Sequence, residues 1–182
     1  PDNVISGLLE GQGLERADDL ASWPEFARYF QGLVREEMDW LLFSDSIVLS
    51  LPLRTDGDIF YWGTSVVGFL QVCAFLLRRM FDVGLPLRGG VSFGEFFIED
   101  TYFAGSPIID AYRHSESLEL SGCVLAPSVE RMYGQMKRHA VDAGYEDSMR
   151  GMLDQLCVSY LIPRKRDRVE PGRVLRNLQQ PG

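Results

Sequence analysis

Histidine is scarce in this sequence, cysteines are few, and long apolar runs are missing. The two histidines, His114 and His139, argue against a zinc site built on several imidazoles. The three cysteines show no Cys-x-x-Cys spacing. An odd number of cysteines in apolar surroundings indicates reduced core thiols and a cytoplasmic protein. No segment reaches the roughly 18 apolar residues of a membrane-spanning helix, so we expect no membrane insertion.

Basic residues are also in deficit. The chain has 18 lysines and arginines against 26 acidic residues, which gives a net charge of −8 and a pI of about 4.8. This balance argues against broad electrostatic binding to nucleic acid or to an anionic membrane. It leaves open a locally basic pocket for a phosphorylated small molecule. With 182 residues, 46% of them hydrophobic, the sequence predicts one globular domain with a substantial core.

The most informative stretch lies between residues 38 and 53. Two apolar runs flank Ser44-Asp45-Ser46, and short polar side chains of this kind stabilise tight turns by bonding the local backbone. The pattern predicts a buried β-hairpin with a single carboxylate, Asp45, at its tip. A carboxylate in this position is either a turn residue or a ligand for a cation.

The rest of the chain mixes helical and extended patterns. Apolar spacing predicts one helix after Trp23-Pro24 and another that begins at Thr64 or Ser65 and ends near Gly84. The further expected elements are a loop over 54–58, a strand, glycine bend and strand over 87–98, a turn over 100–105, a helix from Ser106-Pro107, a buried strand over 123–126, a helix from Pro127-Ser128, a final strand over 157–162 and a basic tail over 163–168. Residues 134–151 give no clear pattern. The irregular alternation predicts an α+β domain with a mostly antiparallel sheet.

Three features follow one another in a fixed order: the F-S-D-S hairpin with Asp45, R-G-G-V-S-F-G over 88–94, and G-S-P-I-I-D-A-Y-R over 105–113. Together they resemble the catalytic domain of class III nucleotidyl cyclases, in its divergent bacterial branch, over roughly residues 38–126. The resemblance implies a ferredoxin-like α+β core and a homodimer with active sites at its interface. It also implies that a nucleoside triphosphate is converted to a 3′,5′-cyclic monophosphate and pyrophosphate, with two Mg²⁺ or Mn²⁺ ions per site.

The resemblance also assigns roles to individual residues. Asp45 matches the metal-binding aspartate of the hairpin. Arg113, eight residues after Gly105, matches the arginine that stabilises the transition state. Leu41 and Tyr102 occupy the two positions at which purine cyclases read the base.

Three more residues are assigned to substrate binding, namely Ser44, Arg88 and Lys165. Structural alternatives exist for the cations, because surface ion pairs on helices and sheet edges are common. These alternatives are an ion pair of Arg113 with Glu116 or Glu119, a sheet-edge salt bridge for Arg88, and a solvated basic tail for Lys165 and for its neighbour Arg164, which could also contact the triphosphate.

The sequence departs from the family pattern in three respects. No F-x-D strand for the first metal-binding aspartate occurs in residues 1–37, so that strand either precedes Pro1 or the site is incomplete. Ile109 stands where purine cyclases have an asparagine beside the arginine. Leu41 and Tyr102 cannot read a purine as a lysine donor does, and their bulk would shrink the base pocket.

These observations leave three hypotheses. The first is an active cyclase that prefers UTP or CTP, similar to the uridylate and cytidylate cyclases of bacterial antiphage defence, whose products act as second messengers. The second is a degenerate cyclase-fold module that binds a nucleotide or a protein partner without chemistry. The third is an unrelated soluble α+β domain, which a sheet without a central antiparallel hairpin carrying Asp45 would establish.

Overall fold

The computed structural model describes Gly32 and residues 37–53, 59–99, 102–142 and 155–176. Its elements are β1 (Asp39–Phe43), β2 (Ser46–Ser50), α1 (Ile59–Asp82), β3 (Arg88–Val91), β4 (Phe97–Glu99), β5 (Tyr102–Ala104), α2 (Ser106–Glu116), β6 (Gly122–Leu125), α3 (Pro127–Asp142), β7 (Cys157–Arg164) and β8 (Arg168–Leu175). The described part is α+β, as the sequence predicts. The helix expected after Trp23-Pro24 and the loop over 54–58 lie outside the described residues.

Within the described residues, the strands form three sheets. The largest has four strands in the order β3-β6-β8-β7, and β1-β2 and β4-β5 are two-stranded antiparallel hairpins. Strands β3 and β6 run parallel, while β6-β8 and β7-β8 are antiparallel. The four-stranded sheet is therefore mixed. Parallel neighbours need a long crossover connection, and β4, β5 and α2 provide it here.

Helix α1 joins the parts of the core. One stripe of its side chains, which includes Val66 and Leu70, packs with α3 against the four-stranded sheet. A second stripe, which includes Val72 and Leu76, packs against the β1-β2 hairpin. This helix is buried on two adjacent sides because its sequence is apolar on more than one face.

The same helix is the one described segment that is long and apolar enough, by length and composition, to cross a membrane (Tyr61–Asp82). This finding differs from the sequence analysis, which predicts no segment long and apolar enough to span a membrane. However, 56% of the apolar window is buried inside the protein. Since its apolar side chains pack on the sheet and the hairpin, the helix has the surroundings of a core helix in a soluble protein.

The Asp45 hairpin is present, but it is not buried. Phe43 is 72% exposed and Trp40 is 45% exposed, whereas Ile47 and Leu49 pack on α1 beside Met80. The ribbon is a separate sheet. Helix α1 covers only part of the face that carries Ile47 and Leu49, because Trp40 lies on that same face, directly opposite Leu49, and is still exposed. Within the described residues, the main sheet therefore lacks a central hairpin carrying Asp45, and this finding favours the third hypothesis.

The basic tail expected over 163–168 is instead part of a long hairpin. Strands β7 and β8 pair along their whole length, and Arg166 and Asp167 form the turn with φ values of 68° and 55°. The sequence conceals β8 because Pro171 interrupts the strand pattern. The proline is tolerated because β8 pairs with β6 only at Val174, so that within the described sheet the side of β8 away from β7 is unpaired at Pro171.

Three smaller boundaries also differ from expectation. Helix α1 begins at Ile59, and the Thr64 hydroxyl donates to the carbonyl of Tyr61 rather than capping the helix. The turn expected over 100–105 contains strand β5. Helix α3 continues through Gly134 to Asp142, because four buried apolar residues along it outweigh the low helix propensity of one glycine.

The three cysteines are reduced thiols in the core. Burial raises the pKa of Cys73 to about 12. Burial also raises the pKa of Cys123, and its neighbours Cys73 and Cys157 raise it further. A thiol that stays protonated is a poor nucleophile, so Cys73 and Cys123 serve packing.

We therefore expect native thiols to react with iodoacetamide at least about tenfold more slowly than those of the denatured chain, because thiolate is the reactive form. Intact-mass spectrometry over time gives the number of modified cysteines. The same protein in guanidinium chloride is the control. Rapid modification of the native protein would contradict the described burial.

Candidate functional site

Arg88, Arg113 and Lys165 are each hydrogen-bonded to the segment that follows α2, near the start of β3. Arg88 Nη1 donates to the carbonyl of Leu118 at 3.2 Å. The backbone N–H of Lys165 donates to the carbonyl of Ser117 at 2.8 Å, and the N–H of Ser117 donates to the carbonyl of Arg113 at 3.2 Å. We call Arg88, Arg113 and Lys165 the basic end, since all three contact the segment that follows α2.

The tip of the Asp45 hairpin lies toward the same end of the molecule. Along α1, Leu51 packs in a cluster with Val72, whereas Ile47 packs farther along the helix with Met80 and with Leu87, the residue before β3. Strand β2 therefore runs antiparallel to α1. Asp45 follows on beyond Ile47, toward the point where the helix ends and β3 begins.

Asp45 is an exposed carboxylate in a tight turn. Ser46 Oγ lies 3.5 Å from its Oδ1, and the preceding Ser44 has a φ of 55°. The described residues contain no group of three or more His, Cys, Asp or Glu side chains that could hold a metal ion. Mg²⁺ requires about six oxygen ligands, so the described residues alone do not fit the two-metal site that the resemblance implies.

Arg113 faces outward from α2. Within the part of the chain that the structure describes, neither Glu116 nor Glu119 pairs with it, and Glu116 instead lies 3.9 Å from Lys165 Nζ. Ile109, one turn before Arg113, is 53% exposed. The surface ion-pair alternative for Arg113 is therefore not what the structure has. Its guanidinium is exposed on the same helix face as Ile109.

Helix α2 is held directly on β3 by a glycine. A Cβ at Gly90 would overlap the carbonyl oxygen of Ala111 and lie 3.1 Å from its carbonyl carbon. Only a residue without a side chain lets the helix approach the strand this closely. The R-G-G segment therefore fixes α2, and with it Arg113, relative to Arg88.

The final turn of α2 is also held by Arg164, which the sequence offers, beside Lys165, as a triphosphate contact or as part of a solvated basic tail. Arg164 is only 7% exposed, and its Nη1 donates to Ser117 Oγ at 2.6 Å and to the carbonyl of His114 at 3.2 Å. Its Nε lies 3.4 Å from a carboxylate oxygen of Glu170. The strand alternation could have revealed this inward direction, because Arg164 shares a face of β7 with the fully buried Ile162.

His114 lies inside this network. Burial lowers the pKa of His114 and the charge of Arg164 lowers it further, while Asp110 and Glu170 act in the opposite direction. The neutral imidazole is therefore favoured in the folded protein.

This pKa shift predicts a pH-dependent stability. Between the folded pKa and the unfolded value of about 6.5, the unfolded chain binds more protons, so stability rises with pH and is lost as the pH falls below about 6.5. We expect His114→Gln to lose less stability than the parent chain between pH 7.5 and 5.5 in urea unfolding. Equal losses in the two proteins would contradict a lowered His114 pKa.

The other predicted substrate residues, Tyr102 and Leu41, lie outside the basic end. Tyr102 is exposed in the β4-β5 hairpin, which connects the far end of β3 to the start of α2. Leu41 lies in the middle of β1, opposite Val48. Within one chain, the structure therefore places Tyr102 at the opposite end of β3 from Arg88.

The chain was also compared with known proteins. No protein-family model matches it. A search of curated proteins found no match, and neither did a search of solved structures. The structure thus establishes an α+β domain with a mixed sheet and a basic end.

Proposed function

We propose that this domain is a nucleotidyl cyclase that converts a nucleoside triphosphate, UTP or CTP, to the 3′,5′-cyclic nucleotide and pyrophosphate. The segment Ser117-Leu118 carries the proposal, because the side chain of Arg88 and the backbones of Arg113 and Lys165 all bond to it. A local group of cations in a chain of net charge −8 supports a site for a polyphosphate, because such a group focuses anions.

The proposed reaction is an in-line displacement. The ribose 3′-oxygen attacks the α-phosphorus, the bond from that phosphorus to the β-phosphate bridging oxygen breaks, and pyrophosphate leaves. Arg113 presents a planar fork of donors that matches the phosphate oxygens, while Lys165 supplies a point charge. Arg88 uses one nitrogen to hold Leu118, so its contribution is mainly electrostatic.

Asp45 is the proposed ligand for Mg²⁺ or Mn²⁺, ions that prefer carboxylate oxygens. Because the described residues contain no metal-binding group, the proposal requires a second carboxylate from outside them. It likewise requires a strand from outside the described residues, paired between β2 and β3, to complete a ferredoxin-like sheet.

The proposed enzyme is a homodimer. Ile109 and Tyr112 are 53% and 59% exposed on the outward side of α2 beside Arg113. A partly apolar exposed helix face supports contact with a second copy, and Arg113 would then act on a nucleotide held by the Asp45 hairpin of that copy. Leu41, Ser44 and Tyr102 are the proposed contacts to nucleotide and base. We propose a cytoplasmic enzyme whose product is a second messenger in antiphage defence.

A second candidate is a cyclase-like module without catalysis. The single carboxylate at the hairpin tip and Ile109 in the asparagine position favour it. Such a module would keep the basic end and bind a nucleotide, while no cyclic product would form.

Turnover with each of the four nucleoside triphosphates tests the proposal. Full-length protein is incubated with ATP, GTP, CTP or UTP and Mn²⁺, and the products are separated by chromatography. We expect cyclic UMP or cyclic CMP that disappears in Asp45→Ala. A purine product would keep the enzyme class and refute the role of Leu41 and Tyr102. Binding without product would identify the module.

A further inference from the structure

Arg164 is a buried cation that has no role in the proposed reaction. It is one of two polar residues in the buried set of the described chain. Removing a guanidinium from water costs several kcal/mol unless hydrogen bonds and opposite charge offset it. Arg164 has both, because it contacts two groups of α2 and the carboxylate of Glu170.

The contacts of Arg164 join two specific points of the backbone. One acceptor is the carbonyl of His114, the residue directly after Arg113. Arg164 itself directly precedes Lys165, whose backbone N–H is bonded to Ser117. The side chain of Arg164 therefore connects the backbone next to one cation of the basic end with the backbone next to another.

Ser117 closes this network. Its hydroxyl accepts from Arg164 Nη1 at 2.6 Å and donates to the carbonyl of His114 at 2.8 Å. A cation at the C-terminus of a helix also interacts favourably with the helix dipole. The last turn of α2 is thus fixed to the β7-β8 hairpin by a planar donor group that lysine could not replace geometrically.

We propose that Arg164 is a positioning residue, which sets the separation of Arg113 and Lys165 on the triphosphate by locking the last turn of α2 to the β7-β8 hairpin. This inference rests on the proposed function. Loss of the Arg164 side chain would misplace Arg113 without removing any group that touches the substrate. It would therefore lower kcat more than it changes KM.

A double-mutant cycle separates this role from a purely structural one. Arg164→Gln, Arg113→Ala and the double variant are compared in turnover of the preferred nucleotide by the full-length protein. We expect Arg164→Gln to lower kcat at least tenfold in the parent chain and less than twofold in the Arg113→Ala background, because residues that act as a unit are not additive.

Two further variants keep the test decisive. Arg168→Gln is the matched control, since Arg168 lies directly opposite Arg164 in the hairpin and is exposed. The substitution removes the same charge, and we expect it to change kcat less than twofold. Ser117→Ala removes the 2.6 Å acceptor without burying a new group, so it gives the same non-additive loss even if Arg164→Gln fails to fold.

The outcomes distinguish the two proposals. Equal losses from Arg164→Gln, or from Ser117→Ala, in both backgrounds would overturn the positioning role while the cyclase proposal stands. If the parent chain shows no turnover, the proposed function is wrong. The parent chain and the same variants are then compared in their affinity for the nucleotide, measured by equilibrium dialysis. Additive losses of affinity, or the absence of nucleotide binding, would then overturn the positioning role as well.

Discussion

Gly90→Ala is expected to destabilise the domain strongly, with a loss of at least about 3 kcal/mol in the free energy of unfolding. The new Cβ would overlap the Ala111 carbonyl oxygen, which belongs to the backbone of α2 and cannot move aside as a flexible side chain does. Relief requires α2 to move away from β3. Urea unfolding monitored by circular dichroism measures the effect.

Gly134→Ala is the matched control for this variant. Gly134 lies inside α3, and the nearest atom to its new Cβ would be the mobile end of Arg138 at 3.9 Å. Alanine is favoured over glycine in a helix interior by roughly 0.5–1 kcal/mol, so this variant should be slightly more stable than the parent chain. Near-parental stability of Gly90→Ala would mean that α2 does not rest on β3 as described.

Asp45→Asn is expected to lower cyclic nucleotide formation by at least about a hundredfold, because the amide lacks the charge that a divalent cation requires at a carboxylate ligand. Asparagine is as well suited to a tight turn as aspartate. The fold and the stability should therefore change little. Initial rates with Mn²⁺ and far-UV circular dichroism of the same samples separate the two effects.

Asp39→Asn controls for a general effect of charge in the hairpin. Asp39 begins β1 and pairs with Ser50 at the end of the hairpin away from the tip, and it carries the same exposed carboxylate. We expect its turnover to equal that of the parent chain. If Asp45→Asn also retains parental turnover, Asp45 is a turn residue and not a cation ligand.

Local patterns predicted the elements whose signals are contained in a few residues. The Ser44-Asp45-Ser46 turn lies between two strands as expected, because turn chemistry is decided by adjacent side chains. Helix α2 begins at Ser106 beside Pro107, since proline is well placed in the first turn of a helix. Gly84, with a φ of 79°, follows the end of α1.

Features that depend on contacts between distant parts of the chain could not be predicted from local patterns. Strand β8 was missed because the sequence cannot show that β8 is unpaired at Pro171 on the side away from β7, where a missing N–H costs no ladder hydrogen bond. The exposure of Phe43 depends on whether another strand covers the hairpin, which no local pattern records. Arg164 appeared to belong to a solvated tail, and only its pairing across β8 and its contacts with α2 show it to be buried.

The fate of the pyrophosphate tests the central claim most directly. Full-length protein with UTP or CTP and Mn²⁺ is followed by chromatography and by a pyrophosphate assay in the same reaction. Our proposal predicts one pyrophosphate for each cyclic nucleotide and no nucleoside diphosphate, because cyclisation breaks the bond at the α-phosphorus. Release of inorganic phosphate with a nucleoside diphosphate, or the absence of any product from folded protein, would contradict a cyclase.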